Sequence, residues 1–194
     1  MTRTFQPGCL GAFLVAALFL LFAPATIAQD AHLRGDPAVY REEGERLFEF
    51  LAAVRTETEA RAMEREIWLH WFRAPDVEAG SLMAEAIDRR RAYDLAGAVA
   101  ILDRLVGYAP DWAEGWNQRA TIRFMQGDYP GSLMDIEETL KREPRHFGAL
   151  AGMAIILTRQ GRVRQAQTVL KHAVTIHPFL KERGMIVQVP EEEL

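Results

Sequence analysis

The sequence predicts an all-α fold, an α-solenoid of stacked antiparallel helix pairs, and three observations carry that expectation. Pro110, Pro144 and Pro178 recur every 34 residues without a gap. Small residues keep the same interval, at Ala86, Ala120 and Ala154 and again at Ala98, Ser132 and Ala166. Between each small pair stands a break, Tyr93-Asp94, Gly127-Asp128 or Gly161-Arg162. Glycine there permits a turn backbone, and aspartate caps the helix that follows.

Aligned on the prolines, the chain divides into units 79–112, 113–146 and 147–180, with the clear match ending at Pro178. Small side chains at unit positions 8 and 20 let two helices approach closely. Bulky residues at position 4 (Leu82, Trp116, Leu150) and position 24 (Leu102, Ile136, Leu170) fill the space beside them. Proline at position 32 stops the second helix and turns the chain back.

Upstream, residues 1–28 read as a signal peptide: Arg3, then a 14-residue apolar run from Leu10 to Ala23, then small residues ending at Ala28. That run is short for a bilayer crossing, which takes about 20 residues. The expected location is therefore the periplasm, with an inner-membrane anchor by an uncleaved signal as the alternative, and no stable membrane span after cleavage. Cys9 is the one cysteine, so no disulfide is expected after cleavage. Residues 29–36 read as a flexible leader, and Asp36-Pro37 opens the first helix. Leu47, Phe48, Leu51 and Ala52 place an apolar stripe on it. Thr56-Glu57-Thr58-Glu59 is a capping-box pattern before a second helix carrying Ile67, Trp68, Trp71 and Phe72. Residues 37–78 thus form a divergent helical pair, read as the N-terminal cap of the stack.

The register of positions 4, 8, 20, 24, 27 and 32 resembles the tetratricopeptide repeat family, whose 34-residue unit is a helix-turn-helix. The resemblance implies a non-catalytic scaffold whose groove, lined by the first helix of each unit, binds a protein or peptide. Positions 2, 5, 9, 12 and 13 would line it. They supply Met83, Ile87, Arg90 and Arg91, then Glu114, Asn117, Thr121, Phe124 and Met125, then Ala151, Ile155, Thr158 and Arg159. A mixed face with several arginines suits a peptide with an acidic feature. The carboxylate clamp of the family's co-chaperone members is not expected, because its positions hold Met83, Ile87, Gln118, Gly148 and Gly152.

Two features leave alternatives open. Glu85 with Arg89, and Arg119 with Arg123, replace apolar residues at positions 7 and 11. Either they form a partly buried charge ladder, with Glu85 reaching Arg119, or they snorkel to solvent. After Pro178 the tail 179–194 carries an apolar run, Met185, Ile186, Val187 and Val189. It folds over the last repeat as an irregular cap or is left as an edge for self-association.

Catalytic chemistry finds no constellation to stand on. His32, His70, His146, His172 and His177 show no metal-ligand spacing, and no phosphate-cradling or nucleophile motif is present. No enzyme activity, metal or cofactor is expected. The net charge of −4 becomes −5 once Arg3 leaves with the signal, which gives no attraction to nucleic acid. The alternative to a binding scaffold is a structural module that assembles through its terminal apolar faces into a homo-oligomer.

Overall fold

In the computed structural model of the chain, residues 33–187 are described. The expected signal peptide and the last glutamates lie outside them. Eight α-helices occupy this span: α1 (Pro37–Ala53), α2 (Glu57–Trp71), α3 (Val77–Arg91), α4 (Leu95–Tyr108), α5 (Ala113–Gln126), α6 (Tyr129–Arg142), α7 (Phe147–Arg159) and α8 (Val163–Ile176). A 3-10 turn, Lys181–Met185, follows. The fold is an all-α helical-repeat solenoid.

Local sequence explains most helix starts. Asp36 accepts from the Ala38 and Val39 N–H groups, and Thr56 with Glu59 closes a full capping box. Asp76, Asp94 and Asp128 cap α3, α4 and α6 in the same way. Within each unit the residue at position 15 is left-handed, Tyr93 at φ 59°, Gly127 at 80° and Gly161 at 74°. Tyr93 carries the strain that glycine avoids in the other two turns.

The small positions meet as the spacing predicts. Ala86 and Ala98, Ala120 and Ser132, Ala154 and Ala166 are all buried, and Ser132 Oγ donates to the Ala120 carbonyl oxygen at 2.8 Å. Two helix backbones therefore touch at the level of a hydroxyl.

The α1–α2 hairpin departs from a cap stacked on the first unit. Its Phe48, Leu51, Ile67 and Trp71 share one core with Phe147, Leu150, Ala151, Ala154, Leu170, Ala173 and Leu180 of the third unit. Ion pairs flank this core, Glu45 with Arg145 of the second unit at 2.8 Å and Glu57 with Arg183 of the 3-10 turn at 3.2 Å. Each unit receives the hairpin at position 34. There Trp112 donates through Nε1 to the Trp71 carbonyl at 2.9 Å, His146 stacks on the Trp71 ring, and Leu180 packs in the shared core. Leu33 and Arg34 pin the connection to α3, with the Arg34 N–H donating to the Ala74 carbonyl at 2.9 Å. Glu64 sits where a repeat would carry a small residue because α2 does not pack as a repeat helix. It reaches His177 of the third unit instead, at 3.4 Å.

A charge ladder forms, but with other partners than Glu85, which stays on its own helix with Arg89. Arg119 grips Asp135 through Nε at 3.0 Å and Nη2 at 2.7 Å, and reaches Asp103 of the preceding unit at 2.7 Å. Arg123 also pairs with Asp135, at 3.0 Å. Burial opposes the Arg119 charge, and its bonds to Asp135 outweigh that, so its guanidinium is held more firmly protonated than usual.

Candidate functional site

Where α2 crosses the first helices of the second and third units, a cavity of about 320 Å³ remains. Asn117, Thr121 and Phe124 enter it from α5, Gly148, Gly152 and Ile155 from α7, and Arg61, Glu64 and Trp68 from the hairpin. Leu180, Lys181 and Glu182 close one side. Its size lies at the lower end of the range for ligand pockets.

Glycine makes this geometry. A Cβ on Gly148 would stand 2.8 Å from Trp68 Cη2, so the indole lies directly over the first turn of α7. Trp68 meets His146 and Phe147 edge-on, at ring centroid distances of 5.3 and 5.9 Å. Gly152 has more room, with Ile136 Cδ1 3.6 Å from the same virtual atom.

Behind the α5 wall stands Glu114, fully buried. Its carboxylate accepts from Asn117 Nδ2 at 3.1 Å, Gln118 Nε2 at 2.7 Å and His146 Nε2 at 3.1 Å. The His146 Nδ1 accepts from the Ala149 N–H at 3.1 Å, which assigns the ring its neutral Nε2–H tautomer. Every neighbour bonded to Glu114 is thus an uncharged donor. Gln118 Oε1 in turn accepts from Arg90 at 3.0 Å.

Of the groove residues inferred from the resemblance, the cavity gathers Asn117, Thr121, Phe124, Ala151 and Ile155. Met83 is buried in the core of the first unit. Ile87 packs beside that core, and Arg90 is taken by Gln118. Arg91 pairs with Asp88 in solvent. Met125 is exposed, and Arg159 lies over Phe124 and bonds the Tyr129 hydroxyl. Sequence reasoning missed Arg61, Glu64 and Trp68, since they come from the hairpin. A signal for the site was present in Gly148 and Gly152, two small residues on one face where the family's clamp places side chains.

Three histidines, His70, His146 and His177, are buried around the hairpin. His70 stacks on Tyr40 at 3.9 Å and accepts from Arg73 Nη2. Burial, then the Arg73 charge, lowers its pKa to about 4. Burial also lowers that of His177. Among the described residues no group of three or more His, Cys, Asp or Glu is placed to hold a metal ion. No helix among them is long and apolar enough to cross a membrane.

Paired helices repeated three times, with a cavity on the first-helix face, define a helical-repeat interaction scaffold. A curated TPR repeat-containing protein of Rhizobium etli is 34% identical over 161 residues, spanning 80% of this chain and 78% of that protein. The chain belongs to the tetratricopeptide-repeat proteins. No protein-family profile matches it. Among solved structures, the TPR2B domain of yeast Sti1, in complex with pHsp70, matches with a TM-score of 0.53 at 18% identity, covering 57% of this chain and 91% of that one.

Proposed function

We propose that the chain is an exported, non-catalytic scaffold that binds a protein or peptide partner in the cavity between α2 and the first helices of the second and third units. The observation that carries this is the cavity itself: an aromatic and aliphatic floor with a few polar groups, left open on the face where paired-helix repeats present their first helices. Export rests on residues 1–28, and the periplasm is the compartment that reading implies.

A photocrosslinking residue at Thr121, installed in the full chain in its own cell envelope, tests the reading. A discrete partner band at Thr121 and none at Met134, an exposed residue of α6, is the expected result. Equal bands at both positions, or none, remove the cavity from partner binding. N-terminal sequencing of the recovered protein tests export, with Gln29 the expected first residue. Exposure of Met185 and Val187 beside the last unit favours self-assembly as a second reading. Light scattering separates the two, since a concentration-independent monomer is incompatible with assembly.

A further inference from the structure

The polar side chains of the cavity floor offer mainly acceptors. Asn117 turns its amide nitrogen toward Glu114, within 3.1 and 3.3 Å of the two carboxylate oxygens. The Thr121 hydroxyl donates to the Asn117 carbonyl at 2.9 Å, and the Ser132 hydroxyl to that of Ala120 at 2.8 Å. All three polar side chains of the floor thus direct a donor into the protein, and they keep acceptors: the Asn117 Oδ1 and the lone pairs of two hydroxyls. A ligand that pairs with these acceptors must bring the protons.

Charge points the same way. Immediately behind Asn117 lies the Glu114 carboxylate, buried and bonded only to neutral groups, so its negative field is uncompensated by a contacting cation. At the rim Arg61 and Lys181 are balanced by Glu64 and Glu182, and Arg61 is already paired with Glu64 at 2.7 Å. Trp68, Phe124 and Phe147 add ring faces and edges around the opening. The first turn of α7, which would otherwise favour an anion, is covered by the Trp68 indole over Gly148.

Building on the scaffold reading above, we infer that the cavity receives a basic side chain, lysine or arginine, of the partner polypeptide. Its aliphatic stem lies along Ile155 and Phe147, and its N–H groups meet the acceptors of Asn117 and Thr121. This reverses the acidic feature expected from Arg90, Arg91 and Arg159, none of which lines the cavity.

Blocked pentapeptides, acetyl-Gly-Gly-Xaa-Gly-Gly-amide with Xaa lysine, arginine, norleucine or glutamate, are titrated into the full chain. Amide shifts of Thr121, Gly148 and Gly152 are followed by NMR. Lysine and arginine peptides should bind at least tenfold more tightly than norleucine, with glutamate weakest, and added salt should narrow the gap. Thr121→Arg, which supplies a guanidinium from within, should abolish lysine-peptide binding. Thr121→Val, a near-isostere without the acceptor, should weaken it several-fold, and it decides the matter if the arginine variant does not fold. Norleucine or glutamate binding as tightly as lysine, no peptide binding at all, or an unaffected Thr121→Val protein overturns the inference. A partner crosslinked at Thr121 without any lysine preference sinks this inference alone; lysine preference with no crosslinked partner sinks the scaffold reading alone.

Discussion

The α1–α2 hairpin and the three repeats are built from helices of similar length, yet they are held by opposite means. Within the repeats, buried alanines and one serine bring neighbouring helices close, and partners lie 12 residues apart in sequence, as Ala120 and Ser132 do. The hairpin instead docks through large aromatic side chains and ion pairs whose partners are about a hundred residues away, such as Glu45 with Arg145. Two of its interface groups, Trp71 Nε1 and His177 Nδ1, are buried without a hydrogen-bond partner. Each such group costs about 1–3 kcal/mol. Short-range packing of small residues makes the stack, and long-range packing of large ones covers part of its first-helix face. The repeats should therefore depend on register, and the hairpin on shape.

The largest effect is expected inside the repeats. Arg119→Met removes the two-pronged partner of Asp135, whose side chain is only 2% exposed. Breaking a buried pair costs about 3–5 kcal/mol, and with Arg123 still present the lower figure applies. Calorimetry should show a single transition at lower temperature, with hairpin and repeats melting together. A melting temperature that is unchanged or raised shows the ladder to be dispensable.

That ladder also marks the boundary of what could be read from residues alone. The 34-residue register was legible because every contact it implies is local: prolines, turn glycines and small residues act within one unit or between neighbours. That Arg119 sits at a charged internal position was equally plain. Its acceptors were not, because Asp103 and Asp135 lie on second helices and look like ordinary surface acids in sequence. The hairpin was recognised as helices from its caps and apolar stripe. Its placement against the second and third units rests on Trp71 meeting His146 and Trp68 meeting Gly148, contacts no local pattern encodes. Arg61, Glu64 and Trp68 enter the cavity wall only through that placement, so the site was only partly visible.

A second test sets two glycines of one helix against each other. Gly148→Ala pushes a methyl group to within 2.8 Å of Trp68 Cη2, where the rigid ring must move. Overpacking of this kind costs about 1–3 kcal/mol. Gly152→Ala meets only Ile136 Cδ1 at 3.6 Å, an ordinary contact. Losing glycine there should stabilise the fold by roughly 0.4–1 kcal/mol through the unfolded chain. Denaturant midpoints of opposite sign are expected, with altered near-ultraviolet tryptophan signal in Gly148→Ala alone. If both substitutions stabilise, the hairpin does not rest on Gly148.

The smallest effect separates hairpin from repeats by pH. His70 is neutral in the fold, its pKa lowered by burial from the ordinary 6.5 to about 4, and His177 is lowered in the same direction. Between pH 6.5 and 4 the unfolded chain takes up protons that the folded hairpin refuses, so stability falls as pH falls through that window and is level above it. Carboxylates held low by their donors, such as Glu43 by Arg73 and Asp94 by Arg89, lose stability in the same direction but only once pH drops below their unfolded values near 4.5 and 3.8. A loss of about 1–2 kcal/mol from pH 7 to 5 is expected of the histidines. His70 lies in the hairpin and His177 meets it through Glu64, so the near-ultraviolet signal of Trp68 and Trp71 should weaken before the far-ultraviolet helical signal. His70→Gln should flatten the slope above pH 5. A hairpin and stack that lose both signals at the same pH, in wild type and variant alike, behave as one unit, and the contrast between them then belongs to packing and not to stability.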